Sequence, residues 1–402
     1  MNRRQTASVF AAMVVAMLAM LPGWASAQTV VKIGLINSYT GFVAQAADEG
    51  QKAFDLYTKL HEKDLPPGVK LEIIKRDDTS NPEVAKRLAQ ELIGRDQVQL
   101  LTGVVLSPSA AAIAPLTAEA KVPLLLDIAA AGVQIPRLSP YIARVSFTLW
   151  QQGYPIGKWA AEQGWKKGYT AVSDFIPGHD SEASFAKGFT DGGGQIIGAV
   201  RMPPQNPDFV PFVQRIKDAK PDVAFFFVPA DPQATALIKA IRDLGVREAG
   251  INITAPQDLL PDEALPNMGD TPLGIITSGM YSTAGDRPAN KAFVAAWHKE
   301  YGDNSIPDFL SVGAWDGMTA IFDLVKATQG KFTADEAMDF FKKWKNPDSP
   351  RGPIEIDPAT RDIVQNIYIR RAEKVDGKMA NVEITTIPMV KDPWKELNPE
   401  KK

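Results

Sequence analysis

The 402-residue chain has no cysteine. That excludes disulfides, thiol nucleophiles, iron–sulfur clusters and a lipid carried on an N-terminal cysteine. Histidine is nearly as scarce: His61, His179 and His298 are the full set. They stand too far apart for a metal motif and read as surface or structural groups, so no metal and no cofactor is expected. The chain also lacks Gly-x-Ser-x-Gly and His-Glu-x-x-His, and with them the usual hydrolase signatures. Neither Gly-x-Gly-x-x-Gly nor a P-loop occurs, which disfavours a nicotinamide or nucleoside triphosphate enzyme. Basic excess is missing too. The formal net charge is −3, which argues against a nucleic-acid partner.

The apolar run Val9–Leu21 follows Arg3 and Arg4 and precedes "ASA" at Ala25–Ala27. It is shorter than the ~17–25 residues of a membrane span. The pattern is that of a cleaved secretory signal over residues 1–27, so export to the periplasm is expected and the mature chain should begin at Gln28. Losing Arg3 and Arg4 would take the net charge from −3 to −5. The remaining chain is 402 minus 27 residues long, too long for one core, which predicts two domains.

Beyond Gln28 strands and helices alternate. "VKIGLI" is a continuous apolar run, as in a strand buried on both faces. "NPEVAKRLAQELIG" opens on an Asn cap with Pro82 next, and ends on Gly94. Repeated βα units up to "VPLLLDI" predict a mostly parallel sheet. The pattern restarts at Tyr141–Phe147 and runs to Gly274–Ser282, predicting a second α/β module. A helical region and a strand-like end follow, and the last residues, 391–402, read as a polar, peripheral tail.

In open parallel sheets ligands sit beyond the carboxyl ends of the strands. In "TGVVLSPSAAA", Ser107 and Ser109 lie at a helix start, where free N–H groups suit a carboxylate. The same residues also fit a plain Ser cap with Pro108 behind it. In "LLDIAAAGVQ", Ala129, Ala130, Ala131 and Gly132 would let a ligand approach the backbone, or make a packed turn. In "NSYTGFVAQAA", Tyr39, Gln45 and Ala46 form a candidate wall of a cleft. Asp77 and Asp78 read as helix capping rather than an acid/base pair.

In order and spacing these segments resemble the periplasmic branched-chain-amino-acid-binding family, the type 1 periplasmic binding proteins that serve ABC importers. The likeness rests on "VKIGLINSYTGFVAQAADEGQKAFDLY", "RDDTSNPEVAKRLAQELI", "LTGVVLSPSAAAIAPLTAEAKVPLL", "SPYIARVSFTLWQQG" and "PDFVPFVQRIKDAKPDVAFFFVP", and it spans nearly the whole mature chain. It implies two Rossmann-like lobes of mostly parallel sheet flanked by helices, joined by three crossovers. Residues 28–147 plus 282–357 would form the first lobe, and residues 148–281 plus 358–390 the second. It implies a non-enzymatic, monomeric solute receptor that delivers a small molecule to membrane permease subunits. A ligand-sensing receptor is the alternative, and a secreted enzyme is a third reading that the missing signatures disfavour.

The resemblance assigns the ligand carboxylate to Ser107 and Ser109. It places Gln257 where amino-acid binders carry the Glu that pairs an ammonium, and Ala230 where they carry a Tyr. Asp258 is adjacent, with its side chain expected to point elsewhere. Ala46 and Ala230 leave room, and Trp150 and Phe175 would supply an apolar wall. A buried ammonium without an anionic partner is costly, so an aromatic or aliphatic carboxylic acid is expected over a branched-chain amino acid. Branched-chain or other hydrophobic amino acids are the alternative ligands.

Overall fold

A computed structural model describes residues 28–132, 134–230 and 232–399. The predicted signal segment, residues 1–27, lies outside the described residues. The fold is mixed α/β in two lobes, each built on its own sheet, as the sequence predicts.

The first sheet contains β1 (Thr29–Asn37), β2 (Val69–Asp77), β3 (Leu100–Gly103), β4 (Leu124–Leu126) and β5 (Ile142–Arg144). Its order is β2-β1-β3-β4-β5, all pairs parallel. The connecting helices are α1 (Ala44–His61), α2 (Pro82–Gly94) and α3 (Ser107–Ala120). β3 and β4 are buried along their whole length, which explains their unbroken apolar runs. α2 starts as its sequence requires: the Asn81 side chain accepts from the N–H of Glu83 and Val84, and Pro82 follows.

The chain then passes to the second lobe through Val145–Thr148. There α4 (Leu149–Glu162), β6 (Lys167–Ser173), α5 (Ile176–Asp191), β7 (Gln195–Met202), α6 (Val210–Ala219), β8 (Val223–Phe227), α7 (Gln233–Asp243), β9 (Asn252–Pro256) and β10 (Ile276–Gly279) follow one another. β7, β6, β8, β9 and β10 are parallel neighbours. Past β10 the chain returns to the first lobe with α8 (Pro288–Tyr301) and α9 (Phe309–Thr328), where Tyr57 of α1 meets Trp315 and Phe322 of α9 edge-to-face at 4.8 and 5.1 Å. Helix α10 (Ala334–Phe341) completes this return.

The strand-like end is an antiparallel addition to the second sheet. β13 (Ile363–Val375) pairs with β10, and β14 (Lys378–Val390) pairs with β13. Their turn is Asp376-Gly377, with φ of 50° and 78°, the two positive angles that a tight hairpin needs and that Asp-Gly tolerates. Two short strands, β11 (Lys345–Asn346) and β12 (Ile354–Ile356), also join this sheet through β13. The sequence reading placed them with the first lobe. The edge of β13 is what captures them.

The tail departs from expectation as well. Helix α11 (Pro393–Leu397) is docked: Pro393 and Lys395 are buried, and the Lys395 ammonium contacts the Asp362 carboxylate. Asp392 is buried beside them, and burial followed by the Asp362 charge raises its pKa to about 6. Lys395 therefore neutralises two packed carboxylates, which is why a polar segment is held in.

The first passage, the exit from β10 and the start of β13 meet at Arg351, which is 1% exposed. Its guanidinium forms an ion pair at 2.8 Å with Asp316 of α9. It also donates to the carbonyls of Val145 (2.5 Å) and Ser146 (2.6 Å), and to Gln365 Oε1 (2.8 Å). The Met280 sulfur lies 2.6 Å from the same Nη1.

Two outcomes follow for stability. Asp316→Ala strands the Arg351 charge and should destabilise the fold by about 3–5 kcal/mol, measured by urea unfolding. Lys395→Ala should cost a similar amount at pH 8 and clearly less at pH 5. Asp392 has its folded-state pKa raised, so a proton relieves the buried negative charge below about pH 6. Thermal melts at the two pH values read this difference.

Candidate functional site

A pocket between the lobes has an empty volume of about 530 Å³, including the part open to solvent. Its walls come from segments just past the strand ends and from two helix starts. Val105, Leu106 and Ser107 follow β3, and Ile128, Ala130 and Ala131 follow β4. From the second lobe, Phe175 and Pro177 follow β6, Phe227, Pro229 and Ala230 come from β8 and its exit, and Asp258 follows β9. Val43 and Ala46 of the α1 start, Phe147 and Leu149 at the first passage, and Phe309 and Leu310 opening α9 close it.

The lining is mostly apolar and strongly aromatic. Phe147 and Phe309 meet edge-to-face with centroids 5.7 Å apart. Phe175 and Phe227, from the other lobe, lie 6.2 Å apart and tilted by 36°. A planar aromatic body suits such walls, because ring pairs favour edge-to-face and offset contacts.

The polar end in the first lobe is the start of α3. Gly103 has φ of +88°, and a Cβ there would stand 2.4 Å from the Ile36 carbonyl, so only glycine lets β3 exit this way. Val104 is held at φ 64°, with its N–H on the Ile36 carbonyl (2.7 Å) and its own carbonyl accepting from Ala129 (3.1 Å). This fixed elbow aims Leu106 and Ser107 at the pocket. No side chain caps α3. The N–H groups of Ser107 and Ser109 therefore remain as first-turn donors, while Pro108 has none. The Ser107 hydroxyl oxygen accepts from the Ala131 N–H at 3.0 Å, which leaves its own O–H to donate. Hydroxyl, backbone donors and the helix dipole together suit an anion.

The polar group of the second lobe is Asp258. Its Oδ2 is shielded from solvent and has no hydrogen-bond partner among the described residues. Burial raises its pKa to about 7, opposed by a hydrogen bond from its own backbone and by the Arg370 charge. None of the residues lining the pocket carries a positive charge. An unpaired buried acceptor costs about 1–3 kcal/mol.

Seven of the sequence-predicted residues come together here: Ala46, Ser107, Ala130, Ala131, Phe175, Ala230 and Asp258. Asp258 corrects the expectation that it points away. Gln257 corrects the opposite one. Its Oε1 accepts from the Met280 N–H at 3.0 Å, its N–H takes Gln152 Oε1 at 3.2 Å, and its side chain lies against Gly279, away from the pocket. Pro256-Gln257-Asp258 enters a short 3₁₀ turn (Gln257–Leu259), which swings the next side chain in. The premise that the pocket lacks a carboxylate is therefore wrong.

The other predicted residues serve structure outside the lining. Ser109 is spent on Asp78 (2.9 Å), which also accepts from Ser38 (2.5 Å) and the Ser80 N–H (3.0 Å). Ala129 receives Ser146 Oγ on its carbonyl. Tyr39 donates to Gln51 at 2.5 Å. Trp150 is buried in α4. Gln45 and Gly132 instead span the lobes: Gln45 Nε2 donates to Glu263 at 2.7 Å, and the Gly132 N–H to Asp180 at 2.7 Å.

Sequence reasoning missed Phe147, Phe227 and Pro229, although each stands at or just past a strand end, where it could have been sought. Phe309 and Leu310 gave no such signal, since they open a helix distant in sequence from any candidate loop. Among the described residues no group of acidic and histidine side chains could hold a metal ion, and no helix is long and apolar enough to cross a membrane.

A periplasmic binding protein family model matches residues 30–378. The Leu/Ile/Val-binding protein homolog 6 of Brucella suis biovar 1 (strain 1330) is 39% identical over 368 residues, covering 90% of this chain and 93% of the relative. A solute binding protein of an ABC transporter from Rhodopseudomonas palustris BisB5, solved with 3,4-dihydroxybenzoic acid, is 46% identical with a TM-score of 0.87, covering 91% of this chain and 99% of that one. Another R. palustris solute binding protein, solved with 4-hydroxybenzoate, is 40% identical with a TM-score of 0.86, covering 90% and 98%. With its two lobes, interlobe pocket and these relatives, the chain belongs to the periplasmic binding protein family, as a solute-binding protein of an ABC transporter.

Proposed function

We propose that the protein is exported to the periplasm, captures a small aromatic carboxylate between its lobes and delivers it, as a monomer, to membrane permease subunits. It performs no catalysis in this reading. The observation that carries it is the pairing of an uncapped helix start at Ser107 with walls of Phe147, Phe309, Phe175 and Phe227. The donors suit a carboxylate and the rings suit an aromatic body. Solved relatives of the same family hold ligands of this class.

A branched-chain amino acid is the second reading, and Asp258 is the observation that favours it, since a carboxylate could face an ammonium. Burial weakens that pairing by favouring the neutral acid up to about pH 7. With its charge lost, the carboxyl cannot compensate a desolvated ammonium.

A thermal-shift screen of the mature chain separates the two readings, because a ligand that binds only the folded state raises the melting temperature. Benzoate-type acids should stabilise it and leucine or valine should not. Stabilisation by leucine alone would reverse the assignment. In Ser107→Ala the loss of a charge-assisted hydrogen bond should weaken aromatic acids by about 1.5–3 kcal/mol, read by isothermal titration calorimetry. An unchanged affinity would move the carboxylate site elsewhere.

A further inference from the structure

The two polar stations of the pocket come from different lobes and differ in kind. Ser107 and the α3 start offer donors. Asp258 offers a half-buried carboxyl that lines the pocket. The rest of its pocket wall in the second lobe is Phe175, Pro177, Phe227, Pro229 and Ala230, with no polar side chain. The Asp258 carboxyl is thus the one side-chain group of this wall that can hydrogen-bond an occupant, and a body seated against it without a polar partner would desolvate it.

Resting on the aromatic-carboxylate reading above, we propose that Asp258 is a specificity-determining residue that receives a ring hydroxyl, so that the pocket selects hydroxylated benzoates over benzoate itself. An aromatic hydroxyl both donates and accepts, so it can pair with the carboxyl in either protonation state. An ammonium can only donate, and needs several acceptors where the pocket shows one carboxyl. Arg370 already places a positive charge near Asp258, which opposes a second cation. Unsubstituted benzoate would fill the same space and cover the carboxyl without offering it a partner. Sites with a dedicated hydrogen-bonding group reject analogues that lack its partner, because the group is then stranded.

Isothermal titration calorimetry of the mature chain with benzoate, 3-hydroxybenzoate, 4-hydroxybenzoate and leucine tests the assignment. The wild type should bind at least one hydroxybenzoate about tenfold or more tighter than benzoate. Asp258→Leu should bring that ratio close to one. Asp258→Ala carries the same comparison should the leucine variant fail to fold. A wild type that does not distinguish the acids, or a variant that keeps the preference, overturns the role of Asp258 and leaves the aromatic-carboxylate reading standing. Binding of leucine with none of the three acids overturns both.

Discussion

Two lobes joined by separate strands need a common anchor, and Arg351 is that anchor. Its guanidinium reaches the first passage through Val145 and Ser146, touches Met280 just past β10, and takes Gln365 of β13. Asp316, from a helix of the first lobe, supplies the balancing charge. A buried pair of this kind adds little net stability over apolar packing. What it adds is geometry: one planar fork fixes these segments relative to one another. The pocket residues Phe147 and Leu149 lie immediately beyond the carbonyls that Arg351 holds, so the back of the site inherits its position from this junction.

The pocket follows from where the strands stop. Most wall segments begin as a buried parallel strand runs out, and the side chains beyond it are released from the pleat to face the cleft, while Phe309 and Leu310 come from a helix start. The first lobe contributes small residues, donors and the Phe309 ring, Phe147 comes from the first passage, and the second lobe contributes Phe175, Phe227 and one carboxyl. An anion entering such a site meets dipoles and no formal positive charge. It is accommodated because first-turn N–H groups act as fixed partial charges, and because Asp258 can hold a proton and so avoid repelling it.

Much of the fold was legible in the sequence because it rests on local rules. Fully buried runs such as "VAFFF" read as central strands, and Asn81-Pro82 opens a helix. The site was legible only in part, since a position past a strand end says where a residue is and nothing of where its side chain points. Ser107 and Ser109 share a helix turn, yet one faces the pocket and the other is drawn to Asp78. Gln257 and Asp258 are neighbours, and a single 3₁₀ turn exchanges their roles. The docking of α11 and the capture of β11 and β12 were hidden for another reason: both depend on partners distant in sequence.

The contacts of Gln45 with Glu263 and of Gly132 with Asp180 cross from lobe to lobe without lining the pocket. They exist only while the lobes are together, and they are blind to the solute inside. Their contribution is thus the same for every ligand and cancels from any comparison between two ligands. Affinity therefore draws on residues outside the pocket as well as on its lining, whereas selectivity rests on the lining alone. Substitution at Asp180 or Glu263 would retune the concentration at which the receptor fills and leave its choice of solute untouched.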